Sequence, residues 1–274
     1  MINNRIITIV IVFYKCTLDK SAAFRSLDKQ ISNNLYKLVL FNNDVSTVIS
    51  HNDFEVVNSK ENVMLAGAYN YALELSRNNN SEWILLVDQD SEIPSDYLTQ
   101  LENDMKNIDS DVVAIVPRLI SSNRILSPKL LNPVLWTLKD IPNNNIYSNC
   151  RIVGFNSMCL INVKFLVDIG GFSYDYPLDM LDHWYFEKIY KSGKKIYVNN
   201  CQILHSLSVD NYEKNVSLER HFNFLSSEVR FANELGKLYL YLFKMKLVLR
   251  VIKQLLKYRN KSYAFMTFKF IFKR

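Results

Sequence analysis

Five apolar residues, Trp83-Ile84-Leu85-Leu86-Val87, run without a break into Asp88-Gln89-Asp90-Ser91. An uninterrupted apolar run of this length, β-branched at Ile84 and Val87, suits a strand covered on both faces, as in a parallel sheet. In such sheets ligands bind beyond the carboxyl ends of the strands, where Asp88 and Asp90 stand. Two carboxylates one residue apart repel each other unless a cation holds them. Their hard oxygen atoms suit magnesium or manganese rather than zinc. The same residues would also serve in a plain polar turn.

The surrounding pattern extends the parallel reading. Ile6 to Tyr14 reads as a first strand, Leu38 to Phe41 as a second, Phe54 to Val57 as a third and Val112 to Val116 as a fifth. Helices are expected from Thr17 through Ile31, over Met64 to Ser76 with Ala68, Tyr71, Ala72 and Leu75 inward, after Pro94, and over Asp179 to Lys191. Strands alternating with helices predict an α/β fold. Pro117 to Asn149, with four prolines and three consecutive asparagines, is expected to be irregular. Lys195 to Val198 and Gln202 to Leu204 read as two short strands, and Gly170-Gly171 as a turn that side chains would block.

Several chemistries are excluded. The first glycine is Gly67, so there is no Walker loop and no Gly-x-Gly-x-x-Gly fingerprint; Gly-x-Ser-x-Gly and His-Glu-x-x-His are absent too. The four cysteines form no Cys-x-x-Cys pair, which fits a reducing, cytoplasmic setting. No run is apolar and long enough to span a bilayer, and Ile6 to Tyr14 lacks the cleavage site of a signal peptide.

The net charge of +6 is unevenly placed. Residues 235 to 274 hold eleven Lys and Arg and no acid, leaving 22 bases against 27 acids in the rest. Residues 238 to 257 fit an amphipathic helix, with Lys246, Arg250, Lys253 and Lys257 on one face and Met245, Val248, Ile252 and Leu255 opposite. Lying in an anionic membrane surface is the expected role; packing on the domain or on a homodimer partner is the alternative. No nucleic-acid motif is present, so no nucleic-acid partner is expected.

Asp179 and Asp182 supply a second acidic pair. Asp182 is a candidate general base for a substrate hydroxyl, although both acids would also suit a helix N-terminus. His205, after Ile203-Leu204, could add an imidazole to a carboxylate-bound metal.

In this order the motifs resemble family 2 glycosyltransferases of the GT-A fold, and especially bacterial rhamnosyltransferases that build surface polysaccharides. Val10 to Tyr14 is similar to the family's first strand, Asn62 to Asn70 to its Asn-x-Gly-x-Ala-x-Ala-x-Asn segment, and Val87-Asp-Gln-Asp-Ser91 to the Leu-Asp-Gln-Asp-Ser form of its Asp-x-Asp motif. Gly170-Gly-Phe172 followed by Asp179-x-x-Asp182 resembles the acceptor helix with its catalytic base.

The resemblance implies an inverting, metal-dependent transferase with a mostly parallel nucleotide-diphosphosugar-binding sheet over residues 1–215 and a helical, basic segment over 216–274. Donor contacts are then expected from Val12, Tyr14, Asn43, Asp44, Asn62, Ala66, Asn70, Asp88 and Gln89, and metal contacts (Mn2+ or Mg2+) from Asp90, Asp88 and His205. Asp182 is the expected catalytic base, with Asp179, His183 and Trp184 lining the acceptor. The pattern departs from the family where Phe41 replaces its Asp, which moves base contacts to Asn43 or Asp44. No Gln-x-x-Arg-Trp motif appears, so transfer of a single sugar is expected. The implied donor is dTDP-rhamnose, with a UDP-hexose or UDP-N-acetylhexosamine as the alternative. The implied acceptor is a glycan, free or lipid-linked, met at the inner face of the cell membrane. A non-catalytic nucleotide-sugar-binding scaffold on the same fold is the reading from another class.

Overall fold

The computed structural model describes residues 6–31, 35–121, 124–204 and 212–273. It divides into two compact units, one of residues 1–130 and 140–206, the other of 131–139 and 207–274.

In the first unit the strands form in chain order as β1 (Ile7–Phe13), β2 (Tyr36–Asn42), β3 (Glu55–Asn58), β4 (Trp83–Asp88), β5 (Val112–Ser121) and β6 (Arg124–Ser127). β7 (Lys129–Asn132) and β8 (Thr137–Asp140) carry the chain out of this unit and back; β9 (Asn145–Tyr147), β10 (Ile152–Val153), β11 (Cys159–Asn162) and β12 (Lys195–Leu204) follow. The main sheet has the order β3-β2-β1-β4-β11-β5-β12-β9, with β6 beside β5. The pairs β1/β2, β1/β4, β2/β3 and β5/β12 are parallel, whereas β11 enters antiparallel between β4 and β5.

Burial explains the composition of the central strands. Every residue of β1 and all of Trp83 to Val87 are buried, so both faces need apolar side chains and no alternation develops. Each such Leu, Ile or Val contributes about 1.5–3 kcal/mol on leaving water. The register aligns the strand ends: Val12 stands opposite Asp88 on one side and Phe41 on the other, and Phe13 stands opposite Asn42. The carboxyl ends of β1, β2 and β4 thus open onto one edge.

The helices of this unit are α1 (Ala22–Leu27), α2 (Met64–Asn78), α3 (Tyr97–Asn107), α4 (Val163–Asp168) and α5 (Leu181–Lys191). α1 is shorter than the expected helix. A 3₁₀ turn, Leu18–Lys20, precedes it, and Ser21 rather than Thr17 caps it by accepting from the Phe24 N–H. In α2, Ala68 and Ala72 face inward as expected, joined by Tyr69, Leu73 and Ser76, while Tyr71 is exposed.

The stretch expected to be irregular is built instead of short strands, β5 through β9. β8 is wholly exposed and β9 nearly so, hence without the apolar alternation that marks a strand in sequence. The two short strands expected after Lys195 are one strand, β12, interrupted by a register shift between Val198 and Gln202.

The second unit contains α6 (Tyr212–Asn215), α7 (Leu218–Leu235), α8 (Lys237–Lys257) and α9 (Ser262–Phe272). Its core gathers Leu225, Val229 and Ala232 of α7, Phe243 and Leu247 of α8, and Phe270 of α9. The basic face of the expected helix is divided: Lys253 and Lys257 are exposed, whereas Lys246 and Arg250 are half-buried. Arg250 makes a two-pronged ion pair with Glu228, with Nη2 to Oε1 at 2.8 Å, and Lys246 donates to the Trp136 carbonyl at 2.7 Å. Met245, Val248, Ile252 and Leu255 are exposed. Among the described residues no helix is long and apolar enough to cross a membrane.

Candidate active site

At the end of β4, Asp88 is half-buried, Asp90 exposed, and Gln89 lies between them. The Gln89 amide spans the backbone of Tyr14: its Oε1 accepts from the Tyr14 N–H at 2.8 Å, and its Nε2 donates to the Tyr14 carbonyl at 3.2 Å. The Gln89 carbonyl accepts from the Ser21 hydroxyl at 2.7 Å. The Gln89 side chain thereby joins the turn after β4 to the loop after β1. Below it, the buried Ser91 and Ser157 hydroxyls meet at 2.8 Å and fix the turn to the loop before β11.

The loop after β2 is built by asparagines. Asn43 accepts from the Val63 N–H at 2.9 Å and donates to the Met64 carbonyl at 3.0 Å, which anchors the start of α2. Asn62 accepts from the Met64 N–H at 3.0 Å. Asp44 is buried and turned into its own loop. Hydrogen bonds from the Ser46 N–H and hydroxyl, then from Thr47, hold its carboxyl below the usual range despite desolvation, and the charge of Lys15 adds to this. Tyr14 is exposed beside it, with the Lys15 ammonium 5.2 Å from the ring centre.

α2 is tied to the segment leading into α5 at two points. Asn70 Oδ1 accepts from the Phe172 N–H at 2.7 Å while its Nδ2 donates to the Phe172 carbonyl at 2.8 Å. The Ala66 N–H donates to the Pro177 carbonyl at 3.0 Å. Ala66 is fully buried, so its contribution is that backbone bond. Gly170 and Gly171 have φ of +84° and +81°, and a Cβ on Gly171 would lie 2.7 Å from Asn70 Oδ1. Both glycines are thus required by conformation, and Gly171 also by the approach of α2.

α5 begins later than expected. Met180, in the left-handed region at φ +64°, stands at its N-cap and makes no side-chain cap, so Asp179 lies outside the helix, half-buried. Asp182 occupies the first turn, where the helix dipole favours its charge. Its Oδ1 accepts from the His183 N–H at 2.8 Å and meets His183 Nδ1 at 2.9 Å. Trp184 is buried, with the Lys188 ammonium 5.2 Å from its ring centre.

One residue went unread in the sequence. Tyr69, fully buried on α2, has a hydroxyl with no hydrogen-bond partner. Burial, then the negative charges of Asp88 and Asp182, push its phenol well above the ordinary value. Both acids therefore act on one buried ring. The Asn156 Oδ1, just before Ser157, is a second buried oxygen without a partner. Tyr69 could have been found by setting 69, 73 and 76 beside 68 and 72 on the inward face in place of 71 and 75.

Asp88 and Asp90 are the residues that could hold a metal. Magnesium and manganese need only one or two protein carboxylates when phosphate oxygens and water complete the shell, and two adjacent hard donors fit that chemistry. Among the described residues no group of three His, Cys, Asp or Glu is placed to hold a metal ion. His205 lies outside the described residues.

Comparison with known proteins adds three findings. No protein of curated function matches the chain by sequence. The fold is similar to that of the mannosyltransferase PcManGT from Pyrobaculum calidifontis, solved with GDP-Man and Mn2+ (TM-score 0.56, 13% identity, 97% of this chain and 84% of that one). It is also similar to residues 1–349 of TarS from S. aureus, solved with UDP-GlcNAc (TM-score 0.51, 12% identity, 97% of this chain and 71% of that one). At these identities the likeness is one of fold. Residues 8–170 match the family model described as Glycosyl transferase family 2. With the aligned strand ends, the acidic turn after β4 and the tie from α2 to α5 all inside the first unit, the chain belongs to glycosyl transferase family 2 and carries a GT-A-like fold.

Proposed function

We propose that the first unit is an inverting, non-processive glycosyltransferase that moves one sugar from a nucleoside-diphosphate donor to an acceptor hydroxyl. The observation that carries this reading is the acidic turn Asp88-Gln89-Asp90 at the carboxyl end of β4, on the edge where β1 and β2 also end, in a chain of glycosyl transferase family 2.

In this reading Val12, Tyr14, Asn43 and Asp44 border the nucleoside, and Asn62, Ala66 and Asn70 shape the wall that α2 presents to the sugar. Asp88 and Asp90 would hold Mn2+ or Mg2+. When bound, that cation supplies positive charge to the diphosphate as it leaves. Asp182 takes the proton of the acceptor hydroxyl through Oδ2, since Oδ1 is engaged by His183. The acceptor oxygen forms its bond to the anomeric carbon as the bond from that carbon to the diphosphate oxygen breaks on the opposite face, so the configuration inverts. Asp179, His183 and Trp184 line the acceptor side.

For the donor we favour dTDP-rhamnose, on the resemblance of Val87-Asp-Gln-Asp-Ser91 to the rhamnosyltransferase form of the motif. The solved structures of similar fold hold GDP-Man and UDP-GlcNAc, which keeps UDP-sugars as the alternative. The acceptor we assign is a glycan hydroxyl, carried on a lipid, in surface polysaccharide synthesis.

Calorimetric titration of the full chain with dTDP, UDP and GDP, each with and without Mn2+, tests the donor site. Metal-dependent binding that Asp90→Asn abolishes is the expected result, with dTDP the tightest. Tightest binding of UDP would replace rhamnose by a UDP-sugar. Binding of no nucleotide under any condition would overturn the enzymatic reading, and metal-dependent binding without any sugar transfer would favour the nucleotide-sugar-binding scaffold.

A further inference from the structure

On α8, Lys246 and Arg250 turn inward while Lys253, Lys257 and an apolar stripe turn outward. On α8 the exposed apolar residues are Tyr241, Met245, Val248, Leu249, Ile252 and Leu256, which recur every three to four positions and so form one band along the helix. Leu249 and Leu256 are 68% and 79% exposed. On α9, Phe265, Phe268 and Phe272 are exposed at 64%, 49% and 70%. A cavity of about 690 Å³ opens beside them, with Phe222 of α7, Phe265 and Phe270 among its lining and Lys269 and Lys273 at the same place. Water is a poor partner for so much contiguous apolar surface.

The charges that α8 and α9 themselves carry are of one sign. Lys253 and Lys257 follow Leu249 at one and two helical turns and are exposed, as are Lys237, Lys261, Lys269 and Lys273. Residues 235 to 274 contain no acid to balance them. A second copy docking through the same face would bring two sets of cations together without a compensating carboxylate from this segment. A bilayer interface with anionic headgroups satisfies both features at once, taking the apolar band at acyl-chain depth and the ammonium groups at the phosphates.

We propose that the outward face of α8 and α9 docks on an anionic phospholipid surface, the helices lying in the interface. This differs from the sequence expectation in its contact surface: Lys246 and Arg250 face the unit's own core, and the aliphatic and aromatic band makes the lipid contact.

The test uses the full chain, because removing residues 238 to 274 would uncover Leu225, Val229 and Ala232 of α7. Sedimentation with phosphatidylcholine vesicles, with and without phosphatidylglycerol, reads the partition. The wild-type protein is expected to bind the anionic vesicles preferentially, less so at raised salt. Leu249→Glu with Leu256→Glu should weaken that binding at least about tenfold while leaving the thermal melt unchanged. Lys253→Glu with Lys257→Glu should remove the preference for phosphatidylglycerol. Binding of the leucine variant at wild-type strength would overturn the proposal, as would wild-type protein that ignores both vesicles. A dimer in sedimentation velocity that the leucine variant dissociates, with no vesicle binding, would assign the face to a second copy instead.

Discussion

The side-chain amide of Asn70 closes on the backbone of Phe172, accepting from its N–H at 2.7 Å and donating to its carbonyl at 2.8 Å. Phe172 is buried, so no solvent replaces either bond. Asn70→Ala should therefore lower stability by about 1–3 kcal/mol, the cost of leaving buried polar groups unpaired. Gly171→Ala should do comparable damage from the other side, since its Cβ would meet the same Oδ1 in a left-handed conformation. Urea unfolding of both variants checks this, and wild-type midpoints would refute it.

Asp182→Asn should slow sugar transfer by about 10²- to 10⁴-fold, the usual worth of a positioned base. Nucleotide affinity, measured by calorimetry, should stay as in wild type. Undiminished turnover in this variant would remove Asp182 as the base.

Tyr69→Phe deletes a buried hydroxyl that has no partner. The unliganded protein should consequently be stabilised, by about 1 kcal/mol, rather than weakened. A thermal melt that falls would show that the hydroxyl is bonded after all.

In the second unit, Glu228→Gln leaves Arg250 charged and partly buried without its carboxylate. A loss of about 1–3 kcal/mol is expected, and a Glu228→Leu, Arg250→Met double variant should recover most of it. Equal instability of the single and double variants would contradict the pairing.

His221 makes the second unit sensitive to acid. Its Nε2 meets Thr267 Oγ1 at 3.0 Å, and because that hydroxyl donates to the Tyr263 carbonyl, the ring nitrogen must be the donor. Nδ1 then accepts from the Tyr212 hydroxyl at 2.8 Å, and the ring is neutral. Burial, and next the charge of Arg250, lower its proton affinity below the ordinary value of 6.5. The unfolded chain binds the proton more readily, so this stability is complete above about pH 6.5 and is lost as pH falls below it. Tm measured down the acid side should drop more steeply for wild type than for His221→Gln.

Some of this was legible in the sequence and some was not, for physical reasons. β1, β2 and β4 announce themselves because burial on both faces demands continuous apolar runs. β8 and β9 do not, since exposed edge strands need no particular side chains. The start of α5 was misplaced because a left-handed Met180, a conformation no local signal marks, takes the cap position. The orientation of α8 was beyond reach of its own periodicity. A stripe of Lys and Arg points to water unless a distant carboxylate receives it, and Glu228 lies on another helix. At the acidic turn the residue types were visible, but the division of labour was not. Gln89, Asn43 and Asn70 each hold a neighbouring stretch of backbone, a role their place in the motifs does not reveal.

The antiparallel entry of β11 between β4 and β5 bears on how the chain is made. β1 precedes β4 in synthesis, but the strand on its other side ends only at Asn162. While the ribosome supplies the intervening residues, this apolar strand has one edge unpaired, the arrangement that invites association between nascent chains. Glu82 and Asp88 bracket that run, and Asp90 follows. Charges flanking an apolar strand discourage such pairing. The acids after β4 thus protect the newborn sheet before there is any site for them to form.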